Sequence, residues 1–242
     1  MKLAIIIPAR YNSSRLPGKP LIKINKIPIL IRTYLQCAKA ISPKVIYVAT
    51  DHIKIKKECD KWGVKVVMTS KNCLTGTDRV FEASKKIKAD IFINVQGDEP
   101  ILNPNDLKLL IKQSKKYPNE IISGYCKISR KEDFKSVSIP KIIKSEKEYL
   151  IYASRAPVPF NKNKKFVKAW KQVCIYAFPK KYLKIFYNQK KKTPIEAIED
   201  IEYLRFLELG YRIKTLKMSS KSIAVDTKKD LKKVKKIISL KK

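Results

Sequence analysis

The sequence predicts an open α/β fold, and three observations predict it. Leu3 to Ile7 is an apolar run without alternation, which suits a strand buried on both faces, and Val45 to Ala49 and Ile91 to Val95 read as further strands. Between them lie stretches whose apolar residues recur at three- and four-residue steps, the period of an amphipathic helix. Polar segments follow the strand-like runs, and an open α/β sheet places its ligands there, beyond the carboxyl ends of the strands.

Composition narrows the class. At 242 residues with 44% hydrophobic side chains, the chain suits one large domain, or one domain with an inserted arm. It holds no apolar run of about 18 residues, so no transmembrane helix and no membrane insertion are expected. Met1 leads straight into a strand-like run without a basic n-region, so no signal peptide is expected. Cys37, Cys59, Cys73, Cys126 and Cys174 stand singly, and an odd count of scattered thiols suits the reduced cytoplasm. With His52 the one histidine, a zinc site is not expected. Lys and Arg number 55 against 21 Asp and Glu, a net charge of +34. The excess is mostly lysine, spread over nearly every segment and not interleaved with an aromatic ladder. That pattern reads as solvated faces rather than a specific nucleic-acid surface, and its field draws anionic small substrates.

The first strand, Leu3 to Ile7, stops at Pro8. The loop beyond it carries Arg10, Asn12, Ser13, Ser14, Arg15, Gly18 and Lys19: three cations, small hydroxyls and a glycine that lets a ligand approach the backbone. This is a candidate anion site, although neither G-x-x-x-x-G-K-[ST] nor G-x-G-x-x-G occurs in the chain. Ile27 to Ala40 follows with helical periodicity, Val45 to Ala49 is a second strand, and Ile53 to Trp62 is a helix closed by Gly63. Val64 to Met68 is a third strand. Leu74-Thr-Gly-Thr-Asp-Arg79 then leads into a helix over Val80 to Ile87, with Thr77 or Asp78 as cap and its N-terminus facing the Thr75-Gly76 turn.

Ile91 to Val95 is the fourth strand, followed by Gln96-Gly97-Asp98-Glu99-Pro100. An acidic pair after a buried strand suits a hard cation, and Mg²⁺ takes one or two carboxylates with phosphate oxygens and water. Asn103 caps a helix to Lys115 with Pro104 at its first position. Ile121 to Ile128 is a strand. Ser129 to Glu148 is less regular, with a short extended piece at Pro140 to Ile143. Leu150 to Phe160 is a strand entering a Pro-rich turn, Lys171 to Phe178 another strand, and Tyr182 to Tyr187 a helix. Thr193 and Pro194 open a helix that carries Glu196 and Glu199 on one face near its positive end and continues to Gly210. Ile213 to Leu216 is the last strand. Thr227 and Asp230 form a capping-box pair at the start of the C-terminal helix, with Asp226 just before it.

The stretch IPARYNSSRLPGKPL resembles the N-terminal signature of the 3-deoxy-manno-octulosonate (Kdo) cytidylyltransferases, and NVQGDEP is very close to a second block of that family. Further blocks follow in the family's order from Ile5 to Leu231: TGTDR, YASRAPVP, IEAIE and VDTKKDL. The resemblance implies a Rossmann-like three-layer α/β/α nucleotidyltransferase fold, with a mostly parallel mixed sheet and an arm over about residues 129–178 that makes a homodimer. It implies transfer of CMP from CTP to an anionic ulosonic acid, most simply Kdo, for lipopolysaccharide synthesis.

Residue by residue, the resemblance implies that Ala9, Arg10, Ser14, Arg15, Lys19, Thr75 and Gly76 bind the nucleotide. Arg79, Gln96, Arg155, Gln172, Tyr176, Glu196 and Glu199 fall on the sugar-binding positions. Asp98 and Asp226 are the implied Mg²⁺ ligands and, with Lys19 and Arg10, the catalytic set. In KQVCIYAF, Gln172 stands where the family usually has a histidine and Cys174 where it has glycine. Gln cannot become charged, so a related acid sugar, such as 8-amino-Kdo or a nine-carbon ulosonic acid, is the alternative substrate. A basic nucleic-acid-binding protein is the distant alternative.

Overall fold

The computed structural model describes residues 1–12, 16–129 and 131–240. Among them the strands are β1 (Leu3–Ala9), β2 (Lys23–Ile24), β3 (Ile27–Pro28), β4 (Ile46–Thr50), β5 (Val66–Met68), β6 (Ile91–Val95), β7 (Ile121–Lys127), β8 (Lys141–Lys144), β9 (Leu150–Ser154), β10 (Trp170–Pro179) and β11 (Ile213–Lys217). The helices are α1 (Ile29–Ala38), α2 (Ile53–Lys61), α3 (Gly76–Ser84), α4 (Pro104–Lys116), α5 (Lys131–Lys135), α6 (Lys180–Asn188), α7 (Pro194–Glu199), α8 (Leu204–Glu208) and α9 (Lys228–Ser239).

The main sheet has the order β11-β7-β10-β6-β1-β4-β5. β1 pairs parallel with β4 and β6, β4 with β5, and β11 with β7. β10 enters antiparallel between β6 and β7. Its first residues also pair with β8, which carries β9 on its other edge.

β1 shows why the unalternating apolar runs become central strands. Ala4 and Ile6 join a core with Phe92, Phe178, Leu183 and Phe206, while Ile5 and Ile7 join another with Leu30, Ile93, Val95 and Leu107. Successive side chains point to opposite faces, so a strand covered by helices on both sides needs apolar residues at every position. The layers are therefore α/β/α, as expected. A third, smaller cluster packs Val234 of α9 and Val225 against Ile24 and Ile29. It brings the C-terminal segment back over the start of α1.

Three local expectations are corrected. Ile27 is not helical: it pairs with Ile24 across a two-residue turn in which Asn25 and Lys26 have φ of 47° and 65°, the left-handed pair that a tight hairpin favours. α3 begins at Gly76 rather than Val80, because Thr75 and Asp78 form the capping box, with Thr75 N–H donating to Asp78 Oδ2 at 2.9 Å. The segment from Thr193 is not one helix to Gly210. It breaks at Asp200, which is left-handed with φ 50°. The Arg155 guanidinium draws away the carbonyls of Glu199 and Asp200 there, at 2.5 and 2.9 Å.

Candidate functional site

A cleft of about 740 Å³ lies beyond the carboxyl ends of β1 and β6. Ala9 and Arg10 enter it from the end of β1, followed by Tyr11, Gly18 and Lys19 of the loop. Tyr11 stacks on His52 with ring centroids 4.2 Å apart, and its carbonyl accepts from Gly18 N–H at 3.1 Å. Gly18 has φ +66°, a conformation that explains a glycine there. Ser14 and Arg15 lie outside the described residues.

Gln96, Gly97 and Asp98 leave β6 into the cleft floor. A Cβ on Gly97 would stand 2.9 Å from the Pro8 carbonyl, so the β6 loop lies hard against the end of β1 only because glycine is there. The Asp98 carbonyl accepts from Val225 N–H at 2.9 Å, which seats Asp226 beside Asp98. Lys19 Nζ lies between the two carboxylates, 2.5 Å from Asp98 Oδ2 and 3.0 Å from Asp226 Oδ1. Burial alone would lower the Lys19 pKa, but the two carboxylates outweigh it and hold it above the ordinary lysine value.

Two carboxylates gathered on one ammonium form a hard-oxygen donor set that fits a divalent cation of the Mg²⁺ type. Among the described residues no three His, Cys, Asp or Glu side chains gather as a metal-binding group. The remaining positions would fall to phosphate and water, as Mg²⁺ prefers.

Thr75, Gly76 and Arg79 line a second wall. The Arg79 guanidinium is buried, 3.2 Å from Asp51 and 2.5 Å from Thr69 Oγ1, which fix it in that wall. Arg155, Gln172 and Tyr176 line the far end. Gln172 Nε2 donates to the Tyr176 hydroxyl.

Two predicted residues do not line the cleft. Glu196 is fully buried and forms a two-pronged ion pair with Arg205, at 2.6 and 2.7 Å. It also closes the capping box of Thr193 at the start of α7. Glu199 accepts from Ser154 Oγ at 2.6 Å and from Arg155 N–H at 2.7 Å, so it holds the Arg155 turn rather than facing the cavity. Burial works against its charge, but these bonds and Tyr152 hold its pKa below the ordinary carboxylate range.

Sequence reasoning missed Glu202. Its carboxylate caps the N-terminus of α3, accepting from Gly76 N–H, Thr77 N–H and the Thr77 hydroxyl at 3.0, 3.0 and 2.6 Å. Burial pushes its pKa up despite these donors. The signal was present, because the three-residue spacing of Glu196 and Glu199 continues to Glu202. Asp200 was also missed. It lines the cleft, and Lys192 and more distantly Arg155 and Arg10 hold its pKa low. Glu99 is buried against Ser222 and pushed up to about 7, chiefly by desolvation.

The chain is similar to known proteins over nearly its whole length. A family model described as cytidylyltransferase matches residues 4–218. The 3-deoxy-manno-octulosonate cytidylyltransferase of Escherichia coli is 33% identical, covering 98% of this chain and 96% of that one. An 8-amino-3,8-dideoxy-manno-octulosonate cytidylyltransferase of Shewanella amazonensis is 35% identical, covering 96% of each chain. The solved structure of CMP:2-keto-3-deoxy-manno-octonic acid synthetase complexed with CTP superposes with a TM-score of 0.91 at 33% identity, covering 100% of both chains.

Proposed function

The chain belongs to the cytidylyltransferase family, and from that premise we propose that it transfers CMP from CTP to 3-deoxy-manno-octulosonate, releasing pyrophosphate. The observation that carries this reading is the meeting of Lys19, Asp98 and Asp226, from three distant segments, on one spot at the carboxyl ends of β1 and β6. Relatives that share a carbohydrate acid as substrate support the acceptor, and the reaction serves lipopolysaccharide synthesis.

In this reading the sugar's anomeric hydroxyl attacks the α-phosphorus. The bond from that phosphorus to the bridging oxygen breaks, and pyrophosphate carries the electron pair away. Arg10 and Lys19 hold the triphosphate and offset the charge that grows on the leaving group. Ala9 and the Thr75-Gly76 turn bound the nucleotide's pocket, with Ser14 and Arg15 of the first loop as further phosphate contacts. Arg155 meets the sugar carboxylate with the guanidinium N–H groups that the carbonyls of Val137, Glu199 and Asp200 leave over, while Gln96, Gln172 and Tyr176 supply hydrogen bonds to its hydroxyls. Mg²⁺ held by Asp98 and Asp226 would supply charge neutralisation and a lowered pKa for the attacking hydroxyl. Arg10, Lys19 and Asp98 stand beyond strand ends, Asp226 just before α9, and Gln172 and Tyr176 on β10; in this reading the protein contributes position and charge rather than covalent chemistry.

Gln172 favours a second acceptor, 8-amino-3,8-dideoxy-manno-octulosonate. A neutral amide joined to the Tyr176 hydroxyl stands at the sugar end, and relatives named for that sugar are as similar as those named for Kdo. Pyrophosphate release with Mg²⁺, CTP and each sugar in turn tests both readings. Release that requires CTP and Kdo supports the first. Release only with the amino sugar moves the acceptor, and silence with both sinks the transferase reading.

A homodimer formed through residues 129–178 of a single-domain chain, and a cytoplasmic setting, complete the proposal. Exposed apolar side chains at Ile151, Phe160 and Val167 support the first, and five free cysteines among the described residues support the second. Light scattering that gives a monomer mass at micromolar concentration would remove the dimer.

A further inference from the structure

Lys141, the first residue of β8, has 0% exposure and lies outside the site described above. Burying a lysine costs free energy, so its partners matter. Among the described residues its ammonium donates to carbonyl oxygens and to no carboxylate: Ser136 O at 2.8 Å and Arg155 O at 2.5 Å. Both bonds lead to the far wall of the cleft. Ser136 precedes Val137, whose carbonyl accepts from Arg155 Nη1 at 2.9 Å. Ser138 and Pro140 of the same segment line the cavity. The Arg155 guanidinium is fixed on its other side by the carbonyls of Glu199 and Asp200. In the β8–β9 register Lys141 lies opposite Ser154, whose hydroxyl binds Glu199. One ammonium thus ties the backbone of Arg155 to the loop that receives its side chain.

We infer that Lys141 is a positioning residue for Arg155, and that it sets a second, buried positive charge behind the subsite that takes a sugar carboxylate. The inference rests on the reading of Arg155 as the acid-sugar ligand. Lys141 bonds no carboxylate among the described residues, and the Arg155 guanidinium has Asp200 no nearer than 3.9 Å, so the two cations packed together make a site that gains from an incoming anion. Burial, and then the neighbouring Arg155, lower the Lys141 pKa to about 8, with Glu199 acting the other way. The other charged groups facing this spot are Asp200 beyond Arg155 and Lys171, opposite Lys141 on β10. Glu199 and Asp200 are held low.

The test is steady-state kinetics of the wild type and Lys141→Met, varying CTP and the acid sugar separately, with circular dichroism to check the fold. In Lys141→Met the KM for the acid sugar should rise about tenfold or more, while the KM for CTP and kcat stay within about twofold. In the wild type the acid-sugar KM should climb as pH passes about 8, and the variant should lose that climb. An unchanged sugar KM in the folded variant, or sugar and CTP KM values that rise together, overturns the role. If Lys141→Met does not fold, the wild-type series still decides: a sugar KM flat between about pH 7 and 9 overturns it. Wild-type protein that turns over neither Kdo nor its 8-amino analogue overturns the functional reading as well, and does so before any variant is made.

Discussion

The end of the cleft formed by β1, β6 and α3 differs in construction from the end formed by β9, β10 and α7. At the first, short contiguous loops leave parallel strands, and close backbone packing such as Gly97 against Pro8 places them. At the second, side chains far apart in sequence hold one another. Glu199 grips the Arg155 turn, Arg155 grips three carbonyls, and Glu196 with Arg205 locks the helix that carries Glu199. A site made by strand ends is robust in its frame and fragile in its reacting groups. A site made by a side-chain lattice reverses this, because its supports are as vulnerable as its contacts.

The largest expected loss of stability tests the lattice. Glu196→Ala takes the two-pronged partner from the buried Arg205 guanidinium and leaves it Asp78 at 3.3 Å and the Phe186 carbonyl; breaking such a pair costs roughly 3–5 kcal/mol, and Asp78 puts the expected loss at the lower end. Chemical denaturation should show that loss, with kcat of the folded fraction largely retained. Loss of kcat without loss of stability would return Glu196 to the cleft and erase the contrast. Lys19→Met tests the strand-end region in the opposite sense. It should lower kcat by about 10²–10³, or roughly 3–4 kcal/mol, with near-normal circular dichroism. Near-normal kcat would remove Lys19 from the chemistry.

How much of this the sequence allowed follows the same division. The three layers, the central strands and the loops at Arg10 to Lys19 and Gln96 to Glu99 were legible, because buried strands and strand-end loops are local patterns. Asp226 was singled out through the resemblance of VDTKKDL to a family block, since the capping box beside it says nothing of a metal. Glu196 and Glu199 were read as sugar-binding through the resemblance of IEAIE to a family block, with their spacing on one helix face in agreement. Nothing local shows that Arg205 and Arg155 claim them first. The break at Asp200 was hidden for the same reason, since the guanidinium that causes it lies on another strand. Lys141 gave no signal among so many lysines.

Glu99 sharpens the contrast at smaller scale, because it stands in the strand-end region but is buried like a lattice residue. Its pKa rises from 4.5 to about 7 on folding. Below 4.5 both states hold the proton and nothing is lost. As pH rises through this window the unfolded chain releases its proton first, so stability falls, by up to about 3 kcal/mol above 7. Glu99→Gln should therefore leave urea midpoints near pH 4 unchanged and raise them near pH 8. A variant that is less stable at pH 8 would mean that the carboxylate is held charged. The smallest effect is expected at Gln172→His, which changes one hydrogen-bonding group on a strand the sheet already fixes. It should alter the ratio of kcat/KM for Kdo and its 8-amino analogue by less than about tenfold. A larger swing would make this position a main selector.

β10 runs from Trp170 to Pro179, bonded in turn to β8, β7 and β6, with its register against β7 shifting between Val173 and Tyr176. Gln172, Cys174 and Tyr176, all on the cleft wall, therefore share one rod with the centre of the sheet. A lineage adapting this enzyme to a new sugar has one irregularity to exploit along that strand, the shift in register that carries Cys174 and Ile175 between Gln172 and Tyr176. Elsewhere it is left with exchanging side chains at fixed addresses, so divergence among such enzymes should be recorded as single-letter changes on the cleft side of this strand and as changes in that one irregular stretch.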